Sequence, residues 1–253
     1  MSSGIPKIIH YCWFGRNPLP ESAIKCINSW KKFFPDYEIK EWNEDNFDVN
    51  SIPYTQEAYQ AKKYAFVSDY ARFKILYEHG GIYFDTDVEV IRPMDDIVAA
   101  GPFMGFEIDP LWVKGKAQEG AIAPGLGLGV NPGLGLYAEL LEFYAGLHFI
   151  NNDGSFNQTT IVKYTTHILI RHGLQCRPGI QTVAGIRIYP TDYFNPLNDN
   201  TGVLKLTNNT RSIHWYTKTW LNQSHLRIKL SRLLHRVISP KITSAIKKRL
   251  RIK

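Results

Sequence analysis

Apolar and polar positions along this chain change their period from segment to segment, and each change predicts an element. Ile5-Pro6-Lys7-Ile8-Ile9-His10-Tyr11-Cys12-Trp13 is a nearly continuous apolar run of strand length, followed by a Gly15–Pro20 turn. From Glu21 to Phe34 a helical stripe runs through Ile24, Ile27, Trp30, Lys31 and Phe34, and Pro35-Asp36 ends it. Residues 37–42, Tyr-Glu-Ile-Lys-Glu-Trp, alternate and predict a second strand. A β-α-β opening of this kind starts a nucleotide-binding α/β sheet. Residues 43–54 read as a loop and 55–63 as a helix. Further on, 136–147 predicts a helix with Leu136, Leu140, Phe143, Tyr144 and Leu147 inward and Glu139 and Glu142 outward. Residues 158–172 predict another, closed by Gly173.

The stretch 68-SDYARFKILYEHGGIYFDTD-87 holds the candidate chemistry. Ser68 is the predicted N-cap, and Tyr70, Phe73, Ile75, Leu76 and Tyr77 follow at helix-like spacing. His79-Gly80-Gly81 stops the helix, and Ile82-Tyr83-Phe84 turns directly into a strand. Asp85 and Asp87 stand at its end, and side chains two apart on a strand share a face. Asp69 and Arg72, one turn apart on the helix, fall within reach of them. Paired carboxylates offer a hard oxygen site for Mg²⁺ or Mn²⁺, with coordination positions left for substrate phosphates. In a chain with twelve aspartates an Asp-x-Asp triplet says little alone; the whole assembly is the signal.

Glycines 125, 127, 129, 133 and 135 lack the Lys-Ser/Thr ending of a phosphate loop, so 108–135 reads as a mobile loop over the active site or the floor of an acceptor site. Cys12, Cys26 and Cys176 show no metal spacing and are expected to be free thiols, mostly buried. The first residues lack the apolar core of a signal peptide, and no run approaches membrane-spanning length. The expectation is a cytoplasmic protein, peripheral at most.

The same 68–87 stretch resembles the donor-sugar-binding region of glycosyltransferase family 32, found in yeast initiating mannosyltransferases and bacterial capsule and O-antigen enzymes and, more distantly, in glucosylating clostridial toxins. That resemblance implies a GT-A fold: a Rossmann-like mixed central sheet flanked by helices, here residues 1–224. It also implies a nucleotide-sugar donor, a divalent metal and transfer with retention. In the family the chain after Asp87 crosses to a further strand, placed here at Gly101–Glu107. Ile186-Arg187-Ile188-Tyr189-Pro190 and Tyr193-Phe194-Asn195-Pro196-Leu197 look like its late strand and aromatic-proline turn. Trp13 matches an aromatic that stacks on the donor's base, a core tryptophan being the other reading. Asn157, Gln158 and Thr159 fall where relatives contact sugar.

Residues 212–220, SIHWYTKTW, resemble the family's closing His…Ser/Thr-Trp segment. His214 would then be a third metal ligand, Trp220 would donate to the leaving diphosphate, and Lys218 would offset its charge; a structural histidine is the alternative for His214. Asp87 is assigned to the metal, Asp85 to the metal or the donor, and Asp69 and Arg72 to sugar hydroxyls. No carboxylate stands out as a nucleophile, so front-face attack is expected. A UDP-sugar is the expected donor with GDP-mannose the alternative, and a saccharide of a surface polysaccharide, lipid-linked, the acceptor. The competing readings are a metal-dependent nucleotidyltransferase or phosphohydrolase, and a catalytically dead sugar-binding protein.

The net charge of +7 is uneven. Residues 225–253 hold ten Lys/Arg and no acid, leaving 20 basic against 23 acidic, about −3, in the first 224. This tail, with Leu226, Ile228, Leu230, Leu233 and Leu234 among its basic residues, reads as a surface anchor for anionic lipid on the inner face of a membrane. A near-neutral body without a recognised motif argues against nucleic acid. The full chain should therefore float with liposomes containing phosphatidylserine, and equal flotation after deletion of 225–253 would count against the anchor.

Overall fold

The computed structural model describes residues 4–113 and 116–217. Lys218, Trp220 and the basic tail lie outside the described residues. The chain opens with strand β1 (Ile8–Cys12), helix α1 (Glu21–Phe33) and strand β2 (Glu38–Trp42), with β1 and β2 paired in parallel. The predicted β-α-β unit is present. Helices α2 (Pro53–Gln60) and α3 (Tyr64–His79) then lead into β3 (Gly81–Tyr83), β4 (Val88–Val90), α4 (Asp95–Ala99) and β5 (Phe103–Ile108). A small hairpin of β6 (Leu111–Val113) and β7 (Lys116–Gln118) precedes β8 (Ala121–Ile122), a 3-10 turn at Pro124–Leu126 and β9 (Leu128–Val130). Helices α5 (Gly135–Ala145) and α6 (Ile161–Arg171), strands β10 (Gln181–Val183) and β11 (Ile186–Tyr189), and a short α7 (Thr191–Phe194) follow. Strands β12 (Leu197–Asn198), β13 (Val203–Leu204) and β14 (Ser212–His214) complete the described chain.

The central sheet runs β10-β11-β5-β9-β3-β1-β2, with β8 added beside β5, and mixes parallel and antiparallel pairs. Buried residues form two clusters. One joins α2, α3, α5 and α6, and the other joins α1 to the region around β4 and α7. This is the expected mixed central sheet flanked by helices. No described helix is long and apolar enough to cross a membrane.

Several boundaries differ from the sequence expectation, each for a physical reason. Helix α3 begins at Tyr64, four residues before the predicted cap, and Ser68 sits inside it with Oγ donating to the Tyr64 carbonyl at 3.2 Å. The break falls instead after α2, where Lys62 adopts φ 57°. In α1 the buried stripe is Ala23, Cys26, Ile27 and Trp30, and Ile24 is 46% exposed. Small Ala and Cys side chains let the helix lie close to the sheet, so the stripe turns away from Ile24 and Lys31. In α5, Tyr137 is buried and Phe143 is 36% exposed, and Glu139 is half-buried beside His172. Helix α6 starts at Ile161 with Thr160 as its cap, three residues later than predicted at Gln158.

The largest correction concerns the glycine-rich stretch. Residues 122–130 are buried throughout, and β9 sits in the middle of the sheet, hydrogen-bonded to both β3 and β5. It is no mobile loop. A Cβ on Gly129 would stand 2.1 Å from the Phe103 ring, so glycine is what lets that ring pack flat across the strand. Cys12 and Cys26 are buried free thiols and Cys176 is half-exposed.

His10 ties the start of the sheet to the α3–β3 turn. Trp42 Nε1 can only donate, so at 3.0 Å it makes His10 Nδ1 the acceptor, and Nε2–H donates to the Gly80 carbonyl at 2.9 Å. Burial, with His79 and Lys40 nearby, pushes His10 down to about 4. The unfolded chain would take this proton near 6.5, so the stabilisation is complete above that pH and is lost as pH falls toward 4, about 3 kcal/mol in all. Urea midpoints measured between pH 7 and 4 should show wild type losing stability that His10→Gln, which keeps a donor and an acceptor, does not lose.

Candidate active site

The direction of the strands collects the site. β1 runs parallel to β2 and β3, β5 runs parallel to β11, and β9 lies antiparallel between β3 and β5. The carboxyl ends of β1, β2, β3, β5 and β11 therefore share one edge, where α/β sheets bind ligands. Trp13 and the turn holding Asp85 and Asp87 leave the sheet at that edge.

Arg72 is the hub. Its side chain is almost wholly buried, with Nη1 3.2 and 3.4 Å from the two oxygens of Asp85 and Nη2 3.2 Å from Asp69 Oδ1. Nε donates to the Ser68 carbonyl, and the guanidinium lies over the Tyr83 ring, 4.8 Å from its centroid. The Tyr83 hydroxyl donates to Asp85 Oδ1 at 3.1 Å. Gly125 closes the other side: its carbonyl accepts from Asp85 N, and a Cβ there would stand 2.0 Å from Asp85 Oδ2. The buried glycine stretch thus does reach the site, as a wall.

Asp85 and Asp87 come together by a different route from the one predicted. β3 ends at Tyr83, and both aspartates lie in the bend before β4, which Val88 N closes by donating to the Asp85 carbonyl at 3.0 Å. A turn, not strand alternation, aims the two carboxylates. Strand β14 pairs antiparallel with β4 and sets His214 opposite Val88. His214 Nε2 is 3.0 Å from Asp87 Oδ1, while Asp87 Oδ2 accepts from the amide and hydroxyl of Thr217 at 2.9 and 3.1 Å. Thr217 and Tyr83 escaped the sequence reading. Tyr83 was visible only as a strand aromatic, and nothing in the sequence marked Thr217 beyond its place in the closing segment.

The electrostatics divide the carboxylates. Burial works to raise Asp87, but the charge of His214 and the bonds from His214 and Thr217 outweigh it and hold the group at about 2. Burial lowers His214 in turn, and Asp87 overrides it and pushes the imidazole up. Asp69 goes the other way. Burial, reinforced by Asp85 and opposed by Arg72, lifts it to about 7.

One atom each of Asp85, Asp87 and His214 lies within 4.8 Å of the others, and His214 Nδ1 is buried without a hydrogen-bond partner among the described residues. Two carboxylates and an imidazole converging so closely fit a divalent cation, and the nitrogen suits Mn²⁺ better than Mg²⁺. Trp13 is half-buried at the same edge, with Nε1 donating to the Asn17 carbonyl. The amino end of α6 reaches Asp69, which accepts from the Ile161 amide. Asn157 fastens the preceding loop to the His148 carbonyl and Tyr164, Thr159 N donates to Asn157, and Gln158 is exposed. Asn157 is thus engaged in holding the loop.

A pair of aspartates in this setting, at the carboxyl edge of a mixed α/β sheet, is a DXD site. Residues 20–104 match the family described as glycosyltransferase sugar-binding region containing DXD motif. Among curated relatives, inositol phosphoceramide mannosyltransferase 3 of Schizosaccharomyces pombe is 32% identical over 123 residues, which is 47% of this chain and 32% of the relative. A glycosyltransferase of Acanthamoeba polyphaga mimivirus is 34% identical over 105 residues, 39% of this chain and 42% of its own length. The chain thus spans less than half of either relative. Among solved structures, the PaToxG glycosyltransferase aligns with a TM-score of 0.49 at 18% identity, over 66% of this chain and 70% of that one.

Asp87→Asn should weaken Mn²⁺ binding at least tenfold by isothermal titration, because it removes a ligand's charge while its amide oxygen still accepts from Thr217. Undiminished binding would remove Asp87 from the cation site.

Proposed function

We infer that this protein is a retaining, metal-dependent glycosyltransferase that moves a hexose or N-acetylhexosamine from a nucleotide sugar to a saccharide acceptor. The observation that carries the reading is the Asp85–Asp87–His214 triangle set beside the Arg72–Asp69 pair. Nothing else among the described residues places cation ligands and hydroxyl-binding groups so close together.

A divalent cation held by Asp87, Asp85 and His214 would offset the charge that develops on a departing diphosphate. The residues themselves do the positioning. Asp87 stays ionised across the working pH range because His214 and Thr217 satisfy it. Arg72 is fixed before any ligand arrives, its nitrogens already shared between two carboxylates and a carbonyl. Asp69, at about 7, exchanges its proton near neutrality and can accept from or donate to a sugar hydroxyl. Trp13 is our candidate for stacking on the nucleobase; Lys218 and Trp220 remain candidates for the diphosphate. No carboxylate is assigned as a nucleophile, and front-face attack is the route we propose.

For the donor we hold two candidates. A UDP-sugar is the original expectation, and the mannosyltransferase names of several relatives give GDP-mannose equal weight. The acceptor we place among surface polysaccharides such as capsule or O-antigen, lipid-linked and met at the cytoplasmic face of the membrane, where residues 225–253 would hold the enzyme.

Incubation with Mn²⁺ and UDP-glucose, UDP-galactose, UDP-N-acetylglucosamine or GDP-mannose decides the matter. At least one should yield free nucleoside diphosphate, and chelation by EDTA should stop it. Release of inorganic phosphate alone would support a phosphohydrolase, and binding without turnover a dead sugar-binding protein.

A further inference from the structure

A third carboxylate belongs to the same edge and was not anticipated. Glu107 lies where the pairing of β5 with β8 shifts register, two residues beyond Gly105, whose face is covered by Phe194 of α7. Asn195, the residue after that helix, therefore meets it, and its Nδ2 donates to the Glu107 carbonyl at 3.0 Å. The Tyr216 hydroxyl, hydrogen-bonded to the Asn195 side chain as well, donates to Glu107 Oε1 at 3.1 Å. Tyr216 adopts φ 51°, a left-handed conformation that a tyrosine rarely takes, and its ring sits 4.1 Å from that of His214. The strained residue thus links Glu107 to the imidazole of the cation site.

Two features of this wall leave acceptors unfilled. Glu107 is half-buried, and Oε2 has no hydrogen-bond partner among the described residues. Asn195 is only 9% exposed, yet its Oδ1 is buried without a partner among the described residues. Buried acceptors without donors are rare and call for a hydroxyl, water or other donor group. Arg72 and Asp69 stand on the α3 flank of the aspartates, whereas Glu107, Asn195 and Tyr216 stand on the His214 flank.

We propose that Glu107, backed by Asn195 and Tyr216, forms a saccharide-hydroxyl subsite for the acceptor, distinct from the Asp69–Arg72 pair. The inference rests on the transferase reading and specifies which flank takes the second substrate. A carboxylate and an amide oxygen are both acceptors, so the ligand they suit is a donor-rich, uncharged polyol edge, as a sugar offers. An anionic acceptor group would be repelled.

The full chain is assayed with Mn²⁺ and the nucleotide sugar it cleaves, adding methyl α-mannopyranoside, methyl β-glucopyranoside or glycerol as hydroxyl probes. Glu107→Gln keeps an oxygen for Tyr216 and turns the ligand-facing oxygen into an NH₂ donor. It should raise the KM for the hydroxyl probe about tenfold, the loss of one charge-assisted hydrogen bond, with a smaller change in donor KM. Tyr216→Phe, which frees the carboxylate from its clamp, should shift the same constant in the same direction. An unchanged probe KM, or a donor KM that rises in step with it, overturns the subsite. Saturation-transfer NMR of the same glycosides, with Mn²⁺ and UDP or GDP present, reads the wall without turnover: signal in wild type that Glu107→Gln loses supports it, and equal signals overturn it. Failure of the wild type to cleave any donor would instead count against the transferase reading.

Discussion

A single buried guanidinium organises this structure. Arg72 stands almost without solvent and would be intolerable there unpaired, since leaving one buried charge uncompensated costs about 3–5 kcal/mol. Asp85 and Asp69 share it, and the Ser68 carbonyl takes Nε. The consequence is geometric as much as energetic. Asp85 stands in a turn, where a carboxylate would ordinarily wander among rotamers, and Arg72 and Tyr83 together pin it. The helix that carries Arg72 and the turn that carries the cation ligands are thereby locked into one register.

That lock needs close approach, and glycine supplies it. At Gly80 and Gly81, with φ of 64° and 97°, the chain reverses from α3 into β3 with no intervening loop. A side chain at Gly81 would collide with the Ile8 carbonyl of the neighbouring strand. Gly125 lets the wall behind Asp85 come within touching distance. The same absence of a side chain that makes these residues look like a flexible linker in the sequence is what makes the interior tight.

Opposed environments then give neighbouring carboxylates different work. Asp87 is paired and hydrogen-bonded, which holds it ionised; burial, with Asp85 nearby, pushes Asp69 the other way. Strand β14, arriving from far along the chain, completes the site by setting His214 and Thr217 against Asp87.

The local pattern determined a good deal by itself. It placed the β-α-β start, the Gly-Gly turn and the gathering of Asp69, Arg72, Asp85 and Asp87, because helix and strand periods and a two-glycine stop are short-range properties; the candidacy of His214 came from the family resemblance of residues 212–220. It misplaced Ser68 as a cap, since nothing local distinguishes a capping serine from one that bonds back to the preceding turn. It missed β9, since glycine weakens a strand on average and only the Phe103 ring waiting across the sheet makes it the right residue. The bend from Asp85 to Val88 is a local turn that the strand reading overran. The Thr217 bonds to Asp87 and the meeting of Glu107 with Asn195 and Tyr216 were decided by tertiary structure alone. These contacts join residues 88 to 130 positions apart, and at that separation the partner is chosen by how sheets and helices pack, not by anything written beside it in the chain.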